Sequence, residues 1–263
     1  MRPISFDNSY VRLPNTFYRR VSPSDVSKPE LIRVNRQLAD ELDIDAEWLA
    51  SDEGISMMAG CEMPNGADPI AAVYAGHQFG HYVPRLGDGR AMLVGEVITS
   101  RHSRFDIQLK GSGPTPYSRG GDGRSPLGPV LREYIVSEAM YHLGIPTTRS
   151  LGAILTGDKV IREGKLPGAI LTRVARSHIR IGTHQYFAAY GDFESLNSLV
   201  KYVVDRHYPE INESQEYVLE MLSSVMARQA DLVARWQIVG FVNGVMNTDN
   251  MMLSGETVDY GPC

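Results

Sequence analysis

The chain has 263 residues, 43% hydrophobic and 22% charged, with 31 acidic against 26 basic side chains and a formal net charge of −5 at pH 7. Such a chain can bury the core of one large domain or two lobes, and its acidic balance argues against a protein built chiefly to hold nucleic acid through phosphate contacts. The sequence has no apolar run long enough to span a bilayer, and MRPISFDNSY lacks the apolar centre of a secretory leader, so the expectation is a cytoplasmic protein without a membrane partner.

The first twenty residues hold Arg2, Arg12, Arg19 and Arg20 against Asp7, but Pro3 and Pro14 spoil an amphipathic helix. They read as an extended arm, and a mitochondrial leader is not favoured. Leu31, Val34, Leu38 and Leu42 recur at helical spacing, predicting a helix over 31–43, with a second from Ala46. Residues 1–83 are therefore read as an arm with helices. Cys61 and Cys263 have no second Cys or His at ligand spacing, so neither a disulfide framework nor a zinc site is indicated. His77 and His81 stand four apart, the spacing of a metal pair on a helix, but without the Glu of a metalloprotease motif; they read as core or hydrogen-bonding histidines.

Residues 84–190 change texture to short strands around Gly-rich turns (AMLVGEV, FDIQL, RSLGAIL, KVIR, GAILTRV) interrupted by one helix, PVLREYIVSEAMYHLG. Gly87 and Gly89 bracket Asp88 ahead of Arg90: either a tight Asp-Gly turn or a loop whose amides approach a phosphate. Alternation in FDIQLK sends Phe105, Ile107 and Leu109 to one face and Asp106, Gln108 and Lys110 to the other. Lys110 is either a solvated strand-end lysine or a phosphate-binding ammonium, the second if Glu133 on the helix packs within reach of it. LTRVARSHIRIGTHQ gathers Arg173, Arg176, His178, Arg180 and His184, either as a solvated basic face or an anion site. Arg180 between Ile179 and Ile181 is partly desolvated and should have an anionic partner.

Residues 191–263 begin with long helical patterns, SLNSLVKYVVDRHY and EYVLEMLSSVMARQADLVARWQIVGFVNG, the latter with more apolar surface than one face needs. Short strands are predicted at MMLS and TVDY. Asn247, Asp249 and Asn250, followed by Asp259 before Tyr260 and Gly261, offer either an Asx-rich hairpin turn or hard oxygens suited to magnesium. The order resembles a kinase's catalytic loop and metal motif, without His-Arg-Asp and with Asp and Asn adjacent.

With FDNSYVRLPNTFY, YAGHQFGHYVPRLGDGRA, IQLKGSGPTPYSRGGDGRSPL, REYIVSEAMYHLGIPTTRSL, MNTDNM and VDYGP, the sequence resembles the selenoprotein O family of kinase-like protein AMPylases over nearly its whole length. The resemblance implies an α+β, protein-kinase-like fold, a strand-rich nucleotide-binding lobe followed by an incomplete helical lobe. It implies ATP held in an inverted orientation and AMP transferred to Ser, Thr or Tyr hydroxyls of protein substrates, with magnesium, or manganese in its place. Gly87, Gly89, Arg90, Lys110, Asp122, Gly123, Arg173, Arg180 and Asp259 match the family's ATP contacts and Glu133 the lysine's partner. Asp249 matches its proposed base, and Asn250 and Asp259 its metal ligands.

Two departures accompany the resemblance. Asn243 stands where family members usually carry His, and the sequence stops at Cys263, where they continue through a large helical remainder. The expectation is an adenylyltransferase, impaired as this shorter chain. A nucleotide-binding pseudokinase is the alternative, and an ordinary protein kinase a third reading.

Overall fold

Val, Ile and Leu crowd the segments that the sequence marks as strands, and in the computed structural model, which describes residues 4–261, eight strands join one sheet. Arg2, Pro3 and Cys263 lie outside the described residues. The strands are β1 (Tyr18–Arg20), β2 (Glu30–Val34), β3 (Ile70–Ala72), β6 (Ala91–Ile98), β7 (Arg104–Lys110), β8 (Ser125–Pro126), β9 (Arg149–Ile161) and β10 (Lys165–Ala175). Their order is β1-β3-β6-β7-β10-β9-β2, with β8 on β10, and all pairs are antiparallel. A separate hairpin joins β4 (Gly76–Gln78) to β5 (His81–Val83). The helices are α1 (Arg36–Glu41), α2 (Ala46–Leu49), α3 (Asp52–Ala59), α4 (Leu127–His142), α5 (Ile181–Ala189), α6 (Phe193–His207) and α7 (Tyr217–Ile238), making a mixed α/β architecture.

The predicted helix over 31–43 is two elements. Leu31 and Val34 belong to β2, paired opposite Ile154 and Gly152 on the sheet edge, and the helix begins only at Arg36. Asn35 divides them, its side chain accepting the Leu38 amide at 3.1 Å as an N-cap. His77 and His81 lie on the β4–β5 hairpin, not a helix, because Phe79 and Gly80 turn the chain with φ of 51° and 81°. KVIR continues RSLGAIL within β9, through a register shift around Gly157 at φ 77°. MMLS and TVDY make isolated bridges, Met252 to Arg180 and Met251 to Thr257, rather than strands; the turn at Gly255 leaves too little chain for a ladder.

Alternation decides what each face of the sheet meets. Ile107 and Leu109 of β7 pack with Val94, Ile154 and Ile170 against Leu38, Leu49, Met57 and Met58 of α1–α3. A second core joins Tyr10, Phe17, Tyr18 and Ile70 to Phe187, Leu199 and Val203 of α5 and α6. The opposite face of β7 carries Asp106, Gln108 and Lys110, all buried. Carboxylates placed there require cations. Arg206 of α6 answers both Asp106 and Glu96, with its NH1 3.0 Å from Glu96; Arg104 also stands 3.0 Å from Glu96, and the His178 amide donates to Asp106 at 2.7 Å. α7 buries Met221, Val225, Leu232 and Trp236 and leaves Leu219, Leu222 and Met226 exposed.

Arg206→Ala removes the guanidinium shared by two buried carboxylates and should lower stability by about 3–5 kcal/mol. Arg235→Ala breaks an exposed pair with Asp231 and a 3.2 Å hydrogen bond to the Gly144 carbonyl, and should change it by about 1 kcal/mol or less. Urea denaturation of the two variants beside wild type checks the contrast; equal effects would show that the buried charge layer is not what holds α6.

Candidate active site

Lys110 ends β7 on the polar face, where the neighbouring strands leave it little water. Its Nζ donates to Glu133 Oε2 and, at 2.9 Å, to Asp259 Oδ2. Glu133 reaches it because Val130, Glu133, Ser137 and Met140 form the inward face of α4, a helix that begins directly after Pro126 of β8. Arg173 of β10 sits beside Gln108 in the register, also buried; its NH1 donates to the Val258 carbonyl at 2.7 Å and makes an ion-pair contact with Glu133 Oε1 at 3.2 Å. Burial alone would raise the Asp259 carboxyl. The charges of Lys110 and Arg173 outweigh it and hold Asp259 well below the usual carboxylate range.

The glycine loop, residues 86–90, links the β4–β5 hairpin to β6. Leu86 and Gly87 amides donate to the Tyr74 carbonyl at 2.8 and 3.0 Å, and the Asp88 amide to Ala72 at 2.9 Å. Gly87 has φ 65°, and a Cβ there would overlap the ring of Tyr117. The loop around Tyr117 is stapled over the glycine loop by Thr115 Oγ1 to the Asp88 carbonyl (2.6 Å) and Ser118 Oγ to the Gly89 carbonyl. Asp122 accepts the Arg124 amide at 2.9 Å and pairs with Arg162 at 2.8 Å; Gly123, at φ 64°, lies so close to Gly113 that no side chain fits.

The basic run of 173–184 divides by function of position. Arg173 and Arg180 line the cavity, Arg176 is exposed elsewhere, His178 faces Asp106, and His184 is half-buried with its titration pushed down to about 4 by desolvation. Arg180 has the anionic partner that its apolar neighbours demand: its NH2 lies 2.9 Å from Asp88 Oδ1. Its NH1 donates at 2.9 Å to the carbonyl of Asp249. The Asp249 carboxylate accepts the His77 amide on Oδ1 at 3.0 Å, and a Cβ at Gly76 would strike that carboxylate. Asn250 is half-buried, its amide donating to Asn247 at 2.8 Å. Asn243 Oδ1 caps the Val245 amide at 2.9 Å and so shapes the approach to this loop.

Gly87, Gly89, Arg90, Lys110, Asp122, Gly123, Glu133, Arg173, Arg180, Asp249, Asn250 and Asp259 all line one cavity of about 560 Å³. Eight cationic side chains and five carboxylates face it, an excess suited to a polyanion. Sequence reasoning passed over Asp88 as a charge and over Arg119, Arg124 and Arg162; the signal for Asp88 was the need of a desolvated Arg180 for an anion. A cavity of about 970 Å³ beside α6 contains none of the twelve. Among the described residues no group of three or more His, Cys, Asp or Glu is placed to hold a metal. Asp259 and Asn250 nevertheless bring a carboxylate and a side-chain amide to the lining of the same cavity. That donor set fits magnesium, which takes one or two carboxylates and completes its shell with water and substrate phosphates.

The family model described as Protein adenylyltransferase SelO matches residues 2–263. The Protein nucleotidyltransferase YdiU of Rhodopseudomonas palustris (strain BisB5) is 60% identical over 258 residues, 98% of this chain and 52% of the relative. That of Bradyrhizobium diazoefficiens is 61% identical with the same coverage, and that of Rhizobium meliloti (strain 1021) is 60% identical over 263 residues, 54% of its length. The chain spans about half the length of the curated relatives it matches.

Glu256, between Asp249 and Asp259, is raised from 4.5 to about 7 by burial, against the opposing pull of the Arg176 amide and charge and of Ser254. A carboxyl raised on folding stabilises the protein below its unfolded value and loses that contribution as pH climbs through about 7. Wild type should therefore lose about 3 kcal/mol relative to Glu256→Gln between pH 4.5 and 8. Urea midpoints of both proteins across that range measure it; parallel curves would mean that Glu256 is not buried as a neutral acid.

Proposed function

The chain belongs to the SelO family, and from that premise we propose that it binds ATP in the cavity around Lys110 and transfers AMP to Ser, Thr or Tyr hydroxyls of proteins. The observation that carries this reading is the buried Lys110, bracketed by Glu133 and Asp259 in a cavity with excess positive charge. A triphosphate supplies the missing anions. The fold is read as protein-kinase-like, the sheet forming the nucleotide lobe and α5–α7 opening the second. The order of strand lysine, helical glutamate, Asp-Asn loop and Asp-Tyr-Gly supports this.

Attack of a hydroxyl on the α-phosphorus builds negative charge on the equatorial oxygens and on departing pyrophosphate. Lys110 and Arg173, already desolvated and fixed by the sheet register, meet that charge without reorganising. Glu133 keeps Lys110 from turning into solvent. Gly87 and Gly89 let backbone approach the nucleotide, and Arg90, Asp122 and Gly123 line the rest of its path. Asn250 and Asp259 would hold magnesium, which when bound neutralises phosphate charge. Asp249 takes the proton from the acceptor hydroxyl: Oδ1 is occupied by the His77 amide, and Oδ2 has no hydrogen bond to the described residues.

ATP labelled at the α or the γ phosphate tests the reaction. Alpha label on protein supports adenylyl transfer; gamma label makes the protein a kinase, and ATP binding with neither makes it a pseudokinase. Asp249→Ala should cut transfer about 100- to 10,000-fold while ATP affinity by calorimetry stays near wild type; undiminished transfer removes Asp249 as the base. Asp259→Ala should abolish the magnesium dependence of ATP binding, and a titration that responds to magnesium as wild type does would reassign the metal ligands.

A further inference from the structure

Asp88 is among the most heavily engaged charges of the cavity wall and has none of the roles given above. It is 2% exposed, with Arg180 at 5%. Its Oδ1 receives Arg180 NH2 at 2.9 Å and the Tyr74 hydroxyl at 3.2 Å, and its Oδ2 receives the Ala72 amide at 3.2 Å. The guanidinium of Arg180 lies 4.1 Å from the centroid of the Tyr74 ring and donates its other terminal nitrogen to the Asp249 carbonyl. Backbone bonds continue the same seam: Gly182 donates to Thr248 and accepts from Ala75, each at 2.9 Å. A Cβ on Gly182 would overlap the Ala75 carbonyl, so the three segments meet with no slack.

We propose that Asp88 is a positioning residue: it holds the Arg180 fork against the carbonyl of Asp249 and thereby sets the catalytic loop at a fixed place relative to the glycine loop. A guanidinium is planar, and its fork can satisfy two fixed acceptors only in one orientation. Asp88 supplies one acceptor and the charge that keeps Arg180 in its seat. With that charge removed, Arg180 is free to turn toward a bound triphosphate and to release the Asp249 carbonyl. ATP affinity then holds or improves, because an anion has left the cavity, while the base loses its alignment. The catalytic consequence rests on the adenylyl-transfer reading; the clamp itself does not.

In the full chain, Asp88→Asn should lower the transfer kcat about 100-fold, the loss expected of a base displaced by roughly 1 Å, with KM for ATP unchanged or lower. Asp88→Asn combined with Arg180→Gln should transfer no more slowly than Arg180→Gln alone. A loss confined to KM, or effects that multiply in the double variant, overturns the proposal. Hydrogen exchange gives a readout that needs no transfer. Asp88→Asn should speed exchange in residues 247–253; acceleration restricted to residues 70–74 would make Asp88 a support of its own loop only and overturn the clamp. A wild type that binds ATP and labels nothing sinks the adenylyl-transfer reading, and the exchange comparison still decides the clamp. Should Asp88→Asn fail to fold, Asp88→Glu carries the test: reduced kcat or faster exchange at 247–253 supports the clamp, and neither overturns it.

Discussion

An ammonium group in a place with little water must be answered by carboxylates, and the two that answer Lys110 come from far along the chain. Glu133 arrives on α4 and Asp259 on the segment after the Asp249 loop. Lys110 therefore does more than mark a site: its desolvation sets where a helix and a loop must dock. Arg173, one strand away, enlarges the demand, and Glu133 serves both cations. A hydrophobic replacement would pack as well. It would leave no charge to exchange for an incoming anion.

The same strand carries a second charged layer with a different fate. Asp106, four residues before Lys110 on the same face, meets Arg206 and the His178 amide beneath α6. There the guanidinium, both carboxylates and Tyr202 satisfy one another. Between the layers lies Gln108, fully buried. One end of the polar face is closed by a helix and stabilises the fold; the other opens to the cavity.

Much of this was legible because the informative residues obey local rules. Period-two alternation in FDIQLK put Lys110 opposite the apolar core, and the two isoleucines flanking Arg180 called for the anion that Asp88 provides. The misread places are those where tertiary pairing overrode spacing. Leu31 and Val34 fit a helix, yet the open edge of β9 recruited them as a strand, with Asn35 turning the chain between the two. The hairpin of His77 and His81 depends on a left-handed Phe79, which no pattern in the sequence announces. Asp88 was hidden for another reason. Between two glycines it reads as turn chemistry, and its charge gains meaning only when residue 180 is brought beside it.

The ring of Tyr117 fills the space that a side chain on Gly87 would need, so the two positions form a lock whose halves cannot drift independently. For an evolving sequence this orders the available steps. A larger residue at 87 is admissible only after 117 has shrunk, and the positive φ then narrows the choice to residues such as Asn. Shrinking 117 first opens a gap over the loop and carries its own penalty. Either first step descends before the second can recover, which makes the pair a barrier in sequence space, and a mutational library that varies one position at a time will report both as immutable.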